Sequence, residues 1–406
     1  MPYYRAVGQI PHKRHTQFRR PDGGLYAEEL MGIEGFHSES ALLYHEGLPT
    51  AIVDAQEWLA PGDPGSAGGR TVPNRPLKPR HFTTHKLDVG SADAVLGRQL
   101  LLANGDVRMS YAVVDAPSPL YRNAVGDECV YVESGAGVVE TVFGSLEVGQ
   151  GDYVMLPTST THRWVPKPGA DGQPLRLLVV EATGHIGPPN RYLTPRGQFN
   201  EFSPYCERDL RAPAEPLVVD GTDVEVYVRH RAGGTRYTYA RHPFDVIGWD
   251  GCLYAYALNI ADFEPITGRV HQPPPVHQTF AGPNFVICSF VPRKFDYHPE
   301  SIPAPYNHAN VDSDEVLFYV GGDFMSRKGA GIELGSISLH PSGFTHGPQP
   351  GSVEASIGKE ATDELAVMVD TFRPLELGDA ALACEDSGYA WTWAGRRNGG
   401  ADSTSG

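Results

Sequence analysis

Positive charge is scarce in this chain. Lys and Arg total 33 against 49 Asp and Glu over 406 residues, a formal net charge of −16, and such a surface repels nucleic-acid backbones and anionic membranes. Long apolar runs are also missing: no stretch approaches the ~18 residues of a spanning helix. The start, Met1-Pro2-Tyr3-Tyr4-Arg5, has no signal-peptide core. The expectation is a soluble, cytoplasmic protein with neither nucleic acid nor membrane as partner. The five cysteines, Cys129, Cys206, Cys252, Cys288 and Cys384, contain no Cys-x-x-Cys pair. That argues against a Cys-based zinc site and a disulfide framework. Cys129 and Cys288 fall in apolar, strand-like text and read as buried free thiols. Long helices have little room, because 46 Gly and 35 Pro make up about a fifth of the chain against roughly 12% in average usage.

What remains is turn-rich β text, long enough for one large domain or two ordinary ones. Residues 20–60 mix a short helical stretch, Leu25-Tyr26-Ala27-Glu28-Glu29-Leu30, with a strand at 41–44, and a Pro/Gly connector follows at 61–69. From about 84 to 182 the sequence reads as short strands at 130–132, 137–144, 153–157 and 175–181, separated by turn signals. This spacing suits a sandwich or barrel. Residues 184–240 read as irregular, and strand text resumes at 244–249 and runs to about 373. The expected division is an N-terminal domain over 1–258 containing a barrel at about 84–182, a C-terminal barrel over 259–392, and a disordered polar tail over 393–406.

One spacing occurs twice. Glu128 precedes Gly135 by the same interval as Glu315 precedes Gly322, and Gly151, Pro157 and His162 are spaced as Gly335, Pro341 and His346 are. The pattern resembles the two cupin motifs, Gly-x5-His-x-His-x3,4-Glu-x6-Gly and Gly-x5-Pro-x2-4-His. It implies an all-β bicupin, two double-stranded β-helix (jelly-roll) barrels with metal ligands on inward-facing strand positions at the mouth. In the second copy the His-x-His is His308-Ala309-Asn310, which leaves His308, Glu315 and His346 as metal ligands. Two imidazoles and one carboxylate leave coordination positions open, as in non-haem Fe(II) oxygenases. Asp312 and Asp314 compete with Glu315 for the carboxylate role. In the first copy Tyr121, Arg122, Asn123 and Ala124 stand where His-x-His would lie, so that barrel reads as structural and His162 as a hydrogen-bonded histidine.

His271 and His340 are the best candidates for accepting a proton near neutral pH, whereas His277 and His298 read as loop histidines. Arg293, Lys294, Arg327 and Lys328 could each neutralise a substrate carboxylate or simply be solvated.

Over most of its length the chain resembles the homogentisate 1,2-dioxygenase family. The segments that carry the likeness are 25–30, Phe244-Asp245-Val246-Ile247-Gly248-Trp249-Asp250-Gly251, Pro305-Tyr306-Asn307-His308-Ala309-Asn310 with Glu315, and Ser338-Leu339-His340-Pro341-Ser342-Gly343-Phe344-Thr345-His346-Gly347-Pro348. The resemblance implies Fe(II) held by His308, Glu315 and His346, His271 as proton acceptor, and His340 and His346 beside the substrate. It also implies cleavage of a small hydroquinone with both atoms of O2 entering the product, maleylacetoacetate when the substrate is homogentisate, and a hexamer built as a dimer of trimers. The sequence departs from the family at two places. The interval from His308 to Glu315 is one residue longer than usual, and Phe324 stands where a substrate-binding tyrosine is usual. The second departure bears on substrate identity. Gentisate or another phenol therefore stays open as substrate, as does a metal-binding bicupin without oxygen chemistry.

Overall fold

The computed structural model describes residues 3–87, 92–167, 172–324, 327 and 329–395. Lys328 and the expected tail from 396 onward lie outside the described residues, but Trp393 and Ala394 belong to a 3-10 helix, Tyr389–Ala394. Among the described residues no helix is long and apolar enough to cross a membrane.

Two compact units form. The first comprises Met1–Arg70, Val89–Gln99 and Arg108–Asp262, and the second Thr71–Asp88, Leu100–Val107 and Phe263–Gly406. The main division falls between Asp262 and Phe263, and two earlier segments join the second unit. Arg80–Phe82 adds an edge strand to Ile337–His340, and Thr71–Pro73 pairs with Glu376–Gly378. These pairings cross most of the chain, so no local pattern announces them.

In the first unit, the strands Asp152–Leu156, Glu128–Ser134 and Leu175–Ala182 lie side by side in one sheet, and Gly144–Gly149, Ala136–Thr141, His162–Lys167 and Leu120–Asn123 in another. Alternation turns Val130, Val132, Val154, Leu156, Leu177 and Val179 of the first sheet onto Val139, Leu146, Val148 and Trp164 of the second, all buried in one core. The 137–144 segment is a strand and a turn, reversing at 142–143 into a hairpin. The supposedly irregular 184–240 stretch carries the hairpin Val224–His230 and Gly233–Tyr239. The helical reading of 25–30 is also corrected. Ala27–Gly32 is a strand along Ser40–His45, because so short a segment gains more from sheet pairing than from an isolated turn of helix.

The second unit is built on a six-stranded sheet ordered Gln278–Gly282, Phe285–Phe290, Leu365–Thr371, Asp314–Gly321, Ile337–His340, Arg80–Phe82. Its inner face buries Cys288, Leu317, Tyr319, Ala366 and Met368. The repeated glycines explain the repeated spacing. Gly135 and Gly322 both have φ +75, and Gly151 and Gly335 have φ +88 and +80, a region costly for residues with a Cβ. A Cβ at Gly322 would also sit 1.9 Å from the Asp363 carbonyl oxygen. The molecule is an all-β bicupin.

Candidate metal centre

Strand alternation on Asp314–Gly321 places Glu315, Leu317 and Tyr319 on the cavity side. Asp314 therefore points the other way, and its two oxygens accept the backbone N–H groups of Ser342 and Leu375, each at 2.8 Å. Asp312 is exposed. Neither aspartate joins the cluster, so the carboxylate there is Glu315. His308 and His346 are drawn together by reciprocal backbone hydrogen bonds of 2.8 Å, which bring their ring centroids to 4.3 Å. The donor atoms of His308, Glu315 and His346 all lie within 4.8 Å of one another.

Each imidazole has its Nδ1 on a backbone carbonyl, His308 on Tyr306 at 3.1 Å and His346 on Phe344 at 3.1 Å. A carbonyl can only accept, so Nδ1 carries the proton and Nε2 presents a lone pair. Those lone pairs face Glu315, 3.2 Å away for His346 and 3.5 Å for His308. Acceptors held this close repel one another unless a cation or an added proton lies among them. Burial alone would raise the Glu315 carboxyl, but the surrounding histidines hold it well below the usual carboxylate range. The donor set fits a divalent metal with positions left open toward the cavity.

His340 is not where the sequence reading put it. It is fully buried, with Nδ1 2.9 Å from Glu315 Oε1 and Nε2 2.9 Å from the Tyr389 hydroxyl. Burial, reinforced by the Arg327 charge, pushes its imidazole down to about 3. The neutral ring thus donates to Glu315 and accepts from Tyr389. With both nitrogens engaged it cannot take a substrate proton or touch the ring, and it orients the carboxylate instead. Tyr389→Phe removes the last link of this chain and is expected to weaken metal binding by about 10- to 100-fold without unfolding the protein. Chelator competition measures the loss.

The cluster opens onto a cavity of ≈ 240 Å3 with Leu317, Met368 and Phe290 among its walls. His271 lines it too, its Nδ1 3.2 Å from Asp296 and its side chain 54% exposed. Phe324 does not line it, a second correction. That ring packs edge-on against Tyr319, with centroids 4.9 Å apart, inside the apolar cluster. A phenol hydroxyl is nevertheless present at the wall, because Tyr319 brings one, 3.1 Å from Ser338 Oγ.

Nor is His277 a loop histidine: it lines the cavity against Phe290, and its buried Nδ1 has no partner among the described residues. Of the four basic candidates, Arg293 lies 3.7 Å from Glu364 and Lys294 is exposed. Arg327 is buried, donates to the Gly347 carbonyl at 2.7 Å, and has no carboxylate within ion-pair distance among the described residues.

The first barrel fills the equivalent place with an arginine. Arg98 donates two hydrogen bonds of 2.9 Å to Glu128 and stands 3.3 Å from Glu181. Asn123 donates to both acids, at 2.9 and 3.2 Å. Burial would raise the Glu128 carboxyl, yet the Arg98 charge holds it down to about 2. His162 is buried, with Nδ1 3.0 Å from the Thr160 carbonyl. A guanidinium neutralises the carboxylates where a metal would otherwise be needed.

Sequence reasoning missed Arg98, Tyr319, Tyr389 and Asp370. A lone acid inside the apolar run Leu365-Ala366-Val367-Met368-Val369-Asp370 was the available signal for the last.

A bicupin with two histidines and a glutamate gathered at the mouth of one barrel has the form of a cupin-type dioxygenase, and the chain's relatives agree. It is 39% identical over 401 residues to "Putative dioxygenase SSO1533" of Saccharolobus solfataricus, covering 97% of this chain and 99% of that protein. It is 24% identical to homogentisate 1,2-dioxygenases of Emericella nidulans over 396 residues (91% of this chain, 82% of that one) and of Pseudomonas savastanoi over 411 residues (93% and 88%). The chain belongs to the homogentisate 1,2-dioxygenase family. No family model matches it. Among solved structures, a cupin 2 conserved barrel domain protein from Leptotrichia buccalis aligns with TM-score 0.33 and 9% identity, covering 72% of this chain and 96% of that one. Ylba from E. coli aligns with TM-score 0.34 and 8% identity, covering 74% and 93%.

Proposed function

We propose that the second unit binds Fe(II) through His308, Glu315 and His346 and cleaves the ring of a hydroquinone, homogentisate first among them, to give maleylacetoacetate. The observation that carries this is the convergence of two Nε2 lone pairs and one carboxylate within 4.8 Å at the mouth of an apolar cavity. Bound iron would supply the redox chemistry by which dioxygen reacts with the ring.

The chain's own residues do the rest. Glu315, oriented by His340, offsets the charge of the cation, while Leu317, Met368 and Phe290 wall off water and hold the ring flat. His271, positioned by Asp296, takes the proton that a ring hydroxyl must release. Arg327, buried at the cavity wall with no acid partner among the described residues, stands ready for a substrate carboxylate. His271→Asn is expected to keep the metal while turnover falls by about 10²-fold or more. Full activity in that variant would move the proton elsewhere.

A second reading keeps the chemistry and changes the substrate to gentisate or another hydroquinone, and the move of the wall hydroxyl from position 324 to Tyr319 favours it. Oxygen uptake by Fe(II)-loaded protein with homogentisate, gentisate and unsubstituted hydroquinone decides between them. The first reading expects the highest kcat/KM on homogentisate. A clear preference for either of the others supports the second, and no uptake with any of them contradicts both.

A further inference from the structure

The two barrels share a feature beyond the repeated motif. Glu128 is the cross-strand partner of Glu181, and Glu315 is the cross-strand partner of Asp370. Directly opposed residues on neighbouring strands point to the same face, so each barrel places two acids side by side. Two adjacent carboxyl groups in a buried setting repel and must share a donor or a cation.

In the first barrel the shared donors are permanent: Arg98 reaches both acids, and the Asn123 amide donates to both. In the second barrel the pair is treated unequally. Glu315 is surrounded by three histidines. Asp370 accepts no hydrogen bond among the described residues; its Oδ1 is sealed within the protein, which leaves Oδ2 as the carboxyl oxygen able to meet a ligand where the side chain lines the cavity.

We propose that Asp370 is a substrate-binding residue whose carboxyl accepts the hydrogen bond of a phenolic hydroxyl seated beside the metal centre. The incoming O–H supplies the donor that Arg98 and Asn123 supply permanently in the first barrel. The ligand class is a hydroxyarene with a free O–H next to the position that the metal holds, and in this respect the inference rests on the function proposed above. An arene whose hydroxyls are capped lacks the donor and leaves Asp370 unpaired, at the full cost of an unsatisfied buried group.

The test uses Asp370→Ala and Asp370→Asn in the full chain, with metal content, chelator competition and anaerobic calorimetric binding as readouts. Hydroquinone is the probe, and 1,4-dimethoxybenzene the control without a donor. The Ala variant should hold one metal per chain with affinity within about threefold of the wild type, yet bind hydroquinone about tenfold or more weakly. The Asn variant should recover part of that loss through its amide oxygen, and dimethoxybenzene binding should be no weaker in either variant.

Unchanged hydroquinone affinity in the Ala variant would overturn the proposal. So would loss of its metal, which would make Asp370 a ligand. Failure of the metal reading shows separately, as a wild-type chain that takes up no metal. Even then, hydroquinone binding that is the same in wild type and Ala variant overturns the role of Asp370.

Discussion

Glu315→Ala is expected to leave the chain with neither metal nor ring-cleaving activity. Glu315 is the one charged donor in the cluster, so its removal leaves two neutral imidazoles that cannot offset a divalent charge in a buried site. His308→Ala and His346→Ala should behave alike, because two donors do not make a closed set. Glu315→Gln separates charge from shape. It keeps the side-chain volume and a hydrogen bond from His340 but should still fail to hold iron at stoichiometry. The control is His162→Ala in the first barrel, where Arg98 already neutralises Glu128, and it should retain the metal in full. Elemental analysis after anaerobic purification, with oxygen uptake on the same samples, measures both effects. Iron lost from His162→Ala and kept in Glu315→Ala would reverse the roles assigned to the two barrels.

The second large effect concerns stability. Arg98→Met removes the cation shared by Glu128 and Glu181, both buried, and leaves Arg229 as the remaining arginine on Glu181, at 3.0 Å. Breaking a buried pair by deleting one partner costs about 3–5 kcal/mol, because the other charge stays behind. Denaturant unfolding should show a loss of that size with metal content unchanged. Adding Glu128→Gln to Arg98→Met should recover part of it, since the neutral side chain no longer carries the stranded charge. A single variant as stable as the wild type would mean that the guanidinium does not replace a cation there.

The repeated spacing could be read without coordinates for a physical reason. Gly135, Gly151, Gly322 and Gly335 all occupy left-handed backbone, so these turns constrain residue type strongly enough to leave a mark in the sequence. His308, Glu315 and His346 carry that mark because strand alternation fixes which side chains face inward. What the sequence hid was long-range or a matter of direction. Arg98 reaches Glu128 from a segment without strand periodicity. Arg80–Phe82 gives no sign that it will pair with Ile337–His340. His340 lies one strand away from Glu315 in register, which makes it the carboxylate's support rather than a contact of the substrate. The family resemblance puts Phe324 beside the substrate, yet its ring packs onto Tyr319.

The most direct test of the central claim is an anomalous difference map recorded at the iron edge from crystals grown anaerobically with Fe(II). The account predicts one peak per chain, among His308 Nε2, Glu315 and His346 Nε2, and none between Glu128 and His162. A peak in the first barrel, or none among the three residues of the second, would contradict it.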